Sequence, residues 1–293
     1  MPLAGGGGAA IGDNRAMDRY AVIGHPIGHS KSPLIHTWFA QATGQALTYT
    51  AMEAPLDGFA ATVDAFRAAG GRGVNVTLPF KIEACAYADE VSERARLAGA
   101  ANALAFDGTR CRAENFDGVG LARDITVNLG HPVAGRRVLM LGAGGAARGA
   151  LQPLLQAAPT LLLVANRSAD KAAALVASFH AQGWGHGVLR AAALDELVDA
   201  GRFDIVVNAT SASLVDQALP LPPQIFGPDT LAYDMVYGQG LTPFLRQAQQ
   251  AGAGRLADGI GMLVEQAAEA FAWWRGVRPD TAAVIQRLAT PLT

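Results

Sequence analysis

The chain has 293 residues, is 51% apolar and carries a formal net charge of −2, with a sequence pI near 6.3. Its length and apolar content allow two domains with buried cores, and the lack of a basic stripe argues against nucleic acid or an anionic membrane surface as a partner. No run of eighteen apolar residues and no export signal is present, which predicts a soluble, cytoplasmic protein that binds a small polar ligand.

The first predicted element is a flexible tail over residues 1–17, which contains four consecutive glycines and few apolar side chains. From residue 19 onward, strand and helix patterns alternate, which is typical of parallel βαβ units. The predicted strands cover residues 20–23, 47–52 and 73–77, and the helices between them cover residues 33–43 and 58–69. We expect these elements to form a substrate-binding α/β domain with a mostly parallel sheet over residues 18–117.

A second alternating series predicts another α/β domain, over residues 118–257. Its predicted strands cover residues 138–141, 161–165, 204–208 and 231–235, and its helices cover residues 146–156 and 169–180. Residues 118–129 have the apolar spacing of a helix and are interpreted as a connector between the two domains, with the domain boundary near Asp117.

The last long helix is predicted at residues 262–274, which are strongly apolar. Because such a helix must be covered, we expect the C-terminal region, residues 258–293, to pack back on the first domain. Trp273 and Trp274 are interpreted as core or interface residues of this helix.

A glycine-rich turn follows the first strand of the second series. Gly142, Gly144 and Gly145 lack side chains and let backbone amides approach a pyrophosphate at the positive end of the next helix, as in a Rossmann-type dinucleotide site. Ala147 fills the third glycine position of the usual fingerprint, and a plain glycine turn is the alternative interpretation.

The next strand of this domain indicates which dinucleotide is bound. An NAD site usually has a carboxylate after this strand, whereas this chain has Asn166, Arg167 and Ser168, with Lys171 one turn later. Arginine matches the oxygens of a 2′-phosphate, and a carboxylate would repel them. We therefore predict NADP rather than NAD, although a surface arginine at a helix start would have the same sequence.

Two segments of the first domain carry polar side chains at strand ends. Ser30 and Ser32 lie beside a predicted helix start, where hydroxyls can hold a carboxylate, and Ser32 before Pro33 also reads as an ordinary N-cap. The segment 75–81, NVTLPFK, places a hydroxyl, an amide and the amine of Lys81 at the end of an apolar strand. Taken alone, this segment is also a normal transition from strand to helix.

No metal site is predicted. His25, His29 and His36 lack a nearby carboxylate or cysteine that would complete a ligand set. Cys85 and Cys111 have no metal-ligand spacing, and we interpret both as buried, reduced residues.

Taken together, these motifs resemble the shikimate dehydrogenase family from about residue 19 to the C-terminal helices. The matching segments are GHPIGHSKSPLIH at 24–36, NVTLPFK at 75–81, GAANAL at 99–104, ENFDGVG at 114–120, GAGGAARG at 142–149, ANRS at 165–168, NATS at 208–211, YDMVYG at 233–238 and DGIGMLVEQA at 258–267. The resemblance implies reversible, NADPH-dependent reduction of 3-dehydroshikimate to shikimate, a step toward aromatic amino acids.

The resemblance also implies a role for each matching residue. Lys81 and Asp117 would be the catalytic pair. The substrate-binding residues would be Ser30, Ser32 and Tyr237 at the carboxylate, and Thr77, Asn102 and Gln266 at the other oxygens. The cofactor-binding residues would be Gly142, Gly144, Gly145, Ala146, Asn166, Arg167, Lys171, Thr210, Met235 and Gly259.

The chemistry of the catalytic pair is consistent with those roles. Hydride addition to a carbonyl leaves negative charge on its oxygen, which the Lys81 ammonium can stabilise before it delivers a proton. Asp117 would orient Lys81 and accept a hydrogen bond from a substrate hydroxyl. Their ordinary interpretations are a surface lysine and a helix N-cap.

The chain departs from the family pattern at two positions, and alternatives for its function and its oligomeric state are open. Phe116 replaces a small polar residue, and Ala212 follows NATS where a glycine is usual. An enzyme that also oxidises quinate, or uses NAD, is the nearest alternative. A catalytically silent NADP-binding regulator is another, but it would be expected to lose Lys81 or Asp117. Monomer and homodimer are both open.

Overall fold

The computed structural model describes residues 17–238 and 240–292, so the predicted tail lies outside the described residues except for Met17. Two six-stranded sheets organise these residues. The sheets lie in sequence order, the first before residue 115 and the second after residue 136.

The first sheet combines parallel and antiparallel strands. Its unit contains β1 (Asp18–Gly24), α1 (Ser32–Thr43), β2 (Leu47–Glu53), α2 (Phe59–Ala68), β3 (Gly71–Val76), α3 (Lys81–Tyr87), β4 (Glu90–Val91), α4 (Glu93–Ala98), β5 (Ala103–Asp107) and β6 (Arg110–Glu114). The strand order is β2-β1-β3-β5-β6-β4. The pairs β1/β2, β1/β3 and β4/β6 are parallel, whereas β5 is antiparallel to both β3 and β6. The mostly parallel sheet is therefore confirmed, and a central antiparallel hairpin is added to it.

The second sheet is parallel throughout its described strands. After α5 (Asp117–Arg123), the unit contains β7 (Arg137–Leu141), α6 (Gly145–Gln156), β8 (Leu161–Asn166), α7 (Ala169–His180), β9 (Leu189–Ala193), β10 (Ile205–Asn208), β11 (Leu231–Asp234), α8 (Pro243–Gln250) and β12 (Arg255–Ala257). The strand order β12-β11-β10-β7-β8-β9 reverses direction at β7, as in a Rossmann fold. This confirms the predicted dinucleotide-binding architecture.

Two helices, α9 (Ile260–Arg275) and α10 (Ala282–Leu288), complete the chain. α9 packs against α1, and their shared core includes Ile35, Phe39 and Phe271. The Trp274 ring stacks on Tyr20 at a centroid distance of 4.8 Å, and its Nε1 donates a hydrogen bond to the carbonyl oxygen of Leu104 at 3.1 Å. The predicted return of the C-terminal helix to the first unit is therefore confirmed.

Two glycines of α5 allow this helix to pack closely against α6 and α9. A Cβ added at Gly118 would lie 2.2 Å from the carbonyl oxygen of Gly149 in α6, and one added at Gly120 would lie 2.7 Å from the carbonyl oxygen of Met262 in α9. The helix continues as a π-helical turn, Asp124–Asn128. α5 therefore packs closely on helices from both parts of the chain, as the predicted connector requires.

The same turn brings a buried carboxylate into the junction. Asp124 is 3% exposed, accepts hydrogen bonds from the Tyr233 hydroxyl at 2.8 Å and from Asn128 Nδ2 at 2.9 Å, and has its pKa raised by burial. Tyr233 lies in β11, so this contact ties the second sheet to the connector.

Among residues 17–238 and 240–292, no helix has the length and apolar content needed to cross a membrane. The same residues contain no group of three or more histidine, cysteine or acidic side chains arranged to hold a metal ion. Both cysteines are free, but only Cys111 is buried, and burial raises its pKa to about 11. The prediction that Cys85 is also buried is wrong, because this residue is only partly buried on α3.

His36 lies inside the first unit. It is 1% exposed, its ring stacks on Tyr49 at a centroid distance of 4.1 Å, and its Nε2 has no hydrogen-bond partner among the described residues. Burial lowers the pKa of this histidine from 6.5 to about 3. His36 is thus a neutral aromatic residue of the core at physiological pH.

His36 is expected to make folding stability depend on pH. Its folded-state pKa is depressed, so the unfolded chain binds the proton more readily, and stability falls as the pH drops through 6.5 toward 3. Between pH 7 and pH 5, protonation of His36 in the unfolded chain should lower the free energy of unfolding by about 2 kcal/mol. Urea unfolding of wild type and His36→Asn at both pH values measures the effect, with exposed His186→Asn as the control. Equal pH dependence in wild type and His36→Asn would contradict the expectation.

Candidate active site

Polar side chains gather at one edge of the first sheet. Strands β1 and β3 end there, and Ser30 and Thr77 follow them. Because β5 is antiparallel to β3 and β6 is antiparallel to β5, the start of β5 and the end of β6 lie at this same edge. Asn102 precedes β5, and Asp117 follows β6 closely. The hairpin that was missed from the sequence therefore brings these two residues to the edge.

Lys81 and Asp117 form an ion pair at this edge. The distance from Lys81 Nζ to Asp117 Oδ2 is 2.6 Å, and the two side chains are 27% and 17% exposed. The other carboxylate oxygen of Asp117 accepts a hydrogen bond from Asn102 Nδ2 at 2.9 Å. Both oxygens are thus engaged, which fixes the orientation of the carboxylate beside the amine.

Asn102 links the ion pair to the C-terminal helix. Its Nδ2 also donates to Gln266 Oε1 at 3.0 Å, and its Oδ1 accepts from the backbone nitrogen of Phe116 at 2.9 Å. Asn102 and Gln266 are both buried. The structure therefore brings Lys81, Asn102, Asp117 and Gln266 into one hydrogen-bonded group.

Tyr49 and Asn75 support this group and were not assigned a role from the sequence. The Tyr49 hydroxyl donates to Asn75 Oδ1 at 2.7 Å, and Asn75 Nδ2 donates to the carbonyl oxygen of Asn102 at 3.1 Å. The signal for Asn75 was available, since an amide within a buried apolar strand must find hydrogen-bond partners. Tyr49 gave no comparable signal, because its partner is 26 residues away.

The hydroxyl of Ser32 does not cap α1, so that prediction is wrong. Lys31 occupies the cap position because its carbonyl oxygen accepts the first helical hydrogen bond, from Ile35, at 3.0 Å. Ser32 is instead a buried first residue of the helix, and its backbone nitrogen donates to Ser30 Oγ at 3.3 Å. The two hydroxyl-bearing residues are therefore neighbours at the sheet edge.

The capping interpretation of Asp117 is wrong for the same geometric reason. Phe116 holds the cap position, since its carbonyl oxygen accepts from Gly120 at 2.9 Å. Asp117 is the first helical residue, and its carboxylate is directed to Lys81 and Asn102.

Tyr237 lies in the loop after β11 of the second unit and is 37% exposed. None of the hydrogen bonds between described residues joins it to Ser30 or Ser32. Tyr237 is therefore not joined to the first-sheet group by a hydrogen bond in the part of the chain that the structure describes.

The glycine-rich turn fits the pyrophosphate of a dinucleotide. Gly142 follows β7 with φ 105°, a conformation that favours glycine, and Gly144 is the N-cap of α6. A Cβ added at Gly144 or Gly145 would meet no atom within 4 Å, so the first turn of α6, which includes Ala146, is open to a ligand. Backbone N–H groups and the helix dipole favour a phosphate there.

The end of β8 presents two cations. Arg167 and Lys171 are exposed, and neither has a salt-bridge partner among the residues that the structure describes. Asn166 ends β8, and its side chain donates to the carbonyl oxygen of Ser168 at 3.0 Å, which shapes the turn. These side chains suit a phosphate on the adenosine ribose.

A buried polar network supports the other loops that are predicted to bind the cofactor. Asp234 accepts from Asn208 Nδ2 at 3.2 Å, from Ser213 Oγ at 2.6 Å and from Thr242 Oγ1 at 2.6 Å. Thr210 donates to Asn208 Oδ1 at 2.7 Å. The segment after NATS, where the family usually has a glycine, forms a short 3-10 turn, Ala212–Val215, which is anchored by Ser213.

Met235 and Gly259 lie side by side. Met235 follows β11, and a Cβ added at Gly259 would lie 2.3 Å from the Met235 carbonyl oxygen. Gly259 is the N-cap of α9, so the close contact joins the loop after β11 to the helix that carries Gln266.

Three family models match the chain. They are described as Shikimate dehydrogenase substrate binding domain, over residues 22–104, Shikimate / quinate 5-dehydrogenase, over residues 123–216, and Shikimate 5'-dehydrogenase C-terminal domain, over residues 259–289. The chain belongs to the shikimate dehydrogenase family. Six of the nine motifs that suggested this family lie within the matched ranges and DGIGMLVEQA at 258–267 overlaps one, whereas ENFDGVG at 114–120 and YDMVYG at 233–238 lie between them.

Similar proteins include two that carry the name of this family. A Shikimate dehydrogenase (NADP(+)) from Methylobacillus flagellatus is 57% identical, with 93% of this chain and 99% of the relative covered. A solved Ael1 enzyme from Pseudomonas putida is 59% identical with a TM-score of 0.90, covering 94% of this chain and 100% of the other. A Thermus thermophilus shikimate 5-dehydrogenase, solved in complex with NADP(H) and shikimate, is 34% identical with a TM-score of 0.80, covering 93% and 100%.

Proposed function

We propose that this shikimate dehydrogenase family member catalyses the reversible, NADP-dependent interconversion of 3-dehydroshikimate and shikimate. The observation that carries the proposal is the Lys81–Asp117 ion pair, 2.6 Å long, at the start of α5. One residue later, Gly118 contacts Gly149, which lies one helical turn after the Gly145 start of α6. The amine of the ion pair and the glycine-rich turn therefore belong to one packed junction.

The chemistry follows from the charges of the ion pair. NADPH, when bound, supplies the hydride that reduces the substrate carbonyl carbon. The Lys81 ammonium would stabilise the negative charge that develops on the carbonyl oxygen and then transfer its proton there, which completes the new hydroxyl. Asp117 would hold the amine and accept a hydrogen bond from a neighbouring substrate hydroxyl, so that one face of the ring is presented to the hydride.

The remaining substrate contacts would come from the first-sheet edge. Ser30 and Ser32 would bind the substrate carboxylate with Tyr237, whose loop lies in the second unit. Thr77, Asn102 and Gln266 would bind the carbonyl and hydroxyl oxygens. Support for this arrangement comes from the sharing of Asn102 between Asp117 and Gln266, with distances of 2.9 and 3.0 Å.

The cofactor residues would divide by the part of the dinucleotide that they bind. Gly142, Gly144, Gly145 and Ala146 would bind the pyrophosphate. Asn166, Arg167 and Lys171 would bind the adenosine ribose and its 2′-phosphate. Thr210, Met235 and Gly259 would lie at the nicotinamide end.

The cellular setting is part of the proposal. We expect a cytoplasmic enzyme that acts on small molecules and not on nucleic acid, which is supported by two free cysteines and a net charge of −2.

A homodimer is supported by the β2 edge strand, Leu47–Glu53, which contains no proline or lysine to discourage pairing with a second copy. Sedimentation of the purified protein distinguishes monomer from dimer.

A direct assay tests the proposed reaction. Purified protein mixed with shikimate and NADP should produce reduced nicotinamide, followed by its absorbance, and quinate or NAD should give a kcat/KM at least roughly tenfold lower. No turnover of shikimate with either cofactor would refute the function. Comparable rates with quinate would favour the broader quinate and shikimate alternative.

The role of Lys81 is tested by substitution. Lys81→Ala should lower kcat by roughly 10²- to 10⁴-fold, because both charge stabilisation and proton transfer are lost. Binding of NADP, measured by fluorescence titration, should change little. Arg110→Ala is the control, since Arg110 forms an exposed ion pair in the same unit. Near-normal turnover by Lys81→Ala would remove it from the mechanism.

Cofactor preference is tested at the second sheet. Arg167→Ala should raise the KM for NADP by roughly 10- to 100-fold and leave the KM for NAD nearly unchanged, because a charge-assisted contact to phosphate contributes roughly 1.5–3 kcal/mol. Steady-state kinetics with both cofactors measures the difference. The matched control is Arg136→Ala, whose ion pair with Asp204 lies at the opposite edge of the sheet. Equal losses with NADP and NAD would argue against phosphate recognition by Arg167.

A further inference from the structure

A buried acidic residue, Glu114, precedes the proposed catalytic aspartate and is bound on several sides. Arg94 donates to both of its oxygens, from Nη2 at 2.8 Å and from Nε at 3.2 Å. The hydroxyl of Ser92 donates to Oε1 at 2.6 Å. A carboxylate held by a two-pronged arginine and a hydroxyl is fixed in orientation.

Glu114 is connected by hydrogen bonds to the residues that follow it in the chain. The backbone nitrogen of Asn115 donates to Glu114 Oε1 at 2.7 Å. The side chain of Asn115 then accepts from the backbone nitrogen of Asp117 at 3.0 Å and donates to the carbonyl oxygen of Ala100 at 3.0 Å. A chain of hydrogen bonds therefore runs from Arg94 to the backbone that carries the Asp117 carboxylate.

Glu114 is also bonded to Asn102 through its backbone. The carbonyl oxygen of Glu114 accepts from the Asn102 nitrogen at 3.0 Å. Asn102 in turn donates its side-chain amide to Asp117. Glu114 therefore supports both Asp117 and the Asn102 side chain that binds Asp117.

Phe116 packs behind the same turn. Its ring is 4% exposed, meets Trp273 edge to face at a centroid distance of 5.7 Å, and has the Arg94 guanidinium 5.5 Å from its centroid. It therefore contributes packing where the family pattern has a small polar residue, and Arg94 contacts both Phe116 and Glu114.

We propose that Glu114, held by Arg94, is a positioning residue for the proposed reaction. It sets the backbone from residue 115 to residue 117 so that the Asp117 carboxylate meets Lys81 Nζ at the geometry needed for proton transfer. Phe116 stabilises the same backbone segment by packing against Trp273 and Arg94. None of the three side chains needs to touch substrate, and this inference rests on the proposed function.

Substitution of Glu114 tests the inference. Glu114→Ala should lower kcat by roughly 10- to 100-fold, because small misplacement of a catalytic group has costs of that order, and should leave the KM for NADP within about twofold. Glu114→Gln keeps an oxygen for Ser92 and Asn115 but loses the second oxygen that binds Arg94, and it should lose clearly less rate than Glu114→Ala. The control Glu90→Ala removes the exposed partner of Arg110 and should leave kcat unchanged.

A purely structural role would give a different result. If Glu114→Ala retains wild-type kcat, or if Glu114→Gln loses as much rate as Glu114→Ala, the inference is wrong. Should Glu114→Ala fail to fold by circular dichroism, Arg94→Lys decides the matter, since it keeps a charge but loses the two-pronged contact. A loss of kcat with unchanged KM for NADP in Arg94→Lys supports the inference, and an unchanged kcat overturns it.

The wild-type assay separates this inference from the proposed function. Wild type inactive on shikimate would refute the function. Active wild type with unaffected Glu114 and Arg94 variants would refute only the positioning role.

Discussion

The site depends on the close packing of one short helix, α5, between helices from both parts of the chain. Gly118 brings its backbone against Gly149 of α6, and Gly120 brings it against Met262 of α9. Any side chain at these glycines would push the helices apart, since the opposing atoms belong to backbone. Because α5 begins at Asp117 and α6 begins at the glycine-rich turn, this packing sets the relation between the proposed chemical group and the proposed dinucleotide site.

Neutral amides hold the charges at the site. Asp117 has one oxygen on Lys81 and the other on Asn102, and Asn102 is itself held by Asn75 through its carbonyl group. A partly buried ion pair with satisfied hydrogen bonds loses less to desolvation than an isolated one, and its dipoles need little reorganisation when charge develops nearby. The surrounding fold therefore contributes to the proposed chemistry through orientation.

The sequence predicted the long elements well, because their apolar spacing is strong. It missed β9, which is short and rich in alanine, and β12, which has only three residues. It also missed the β5–β6 hairpin, because strand pairing is not visible in local periodicity. Lys81 and Asp117 could be found from motifs. The roles of Tyr49 and Glu114 could not, because they depend on which distant side chains the folded sheet brings together.

The fold holds the residues proposed for catalysis more firmly than the residues proposed to select the cofactor. Arg167 and Lys171 are exposed and lack ion pairs among the described residues, so nothing in the packing requires a cation at either position. Asn102, by contrast, bonds to Asp117, Gln266 and Phe116 at once, and its replacement would leave buried polar groups without partners. Substitution of the two proposed 2′-phosphate-binding cations should therefore leave folding stability nearly unchanged, whereas substitution in the proposed catalytic group should also lower it. The first-sheet edge is for this reason the part of the site that the fold itself constrains.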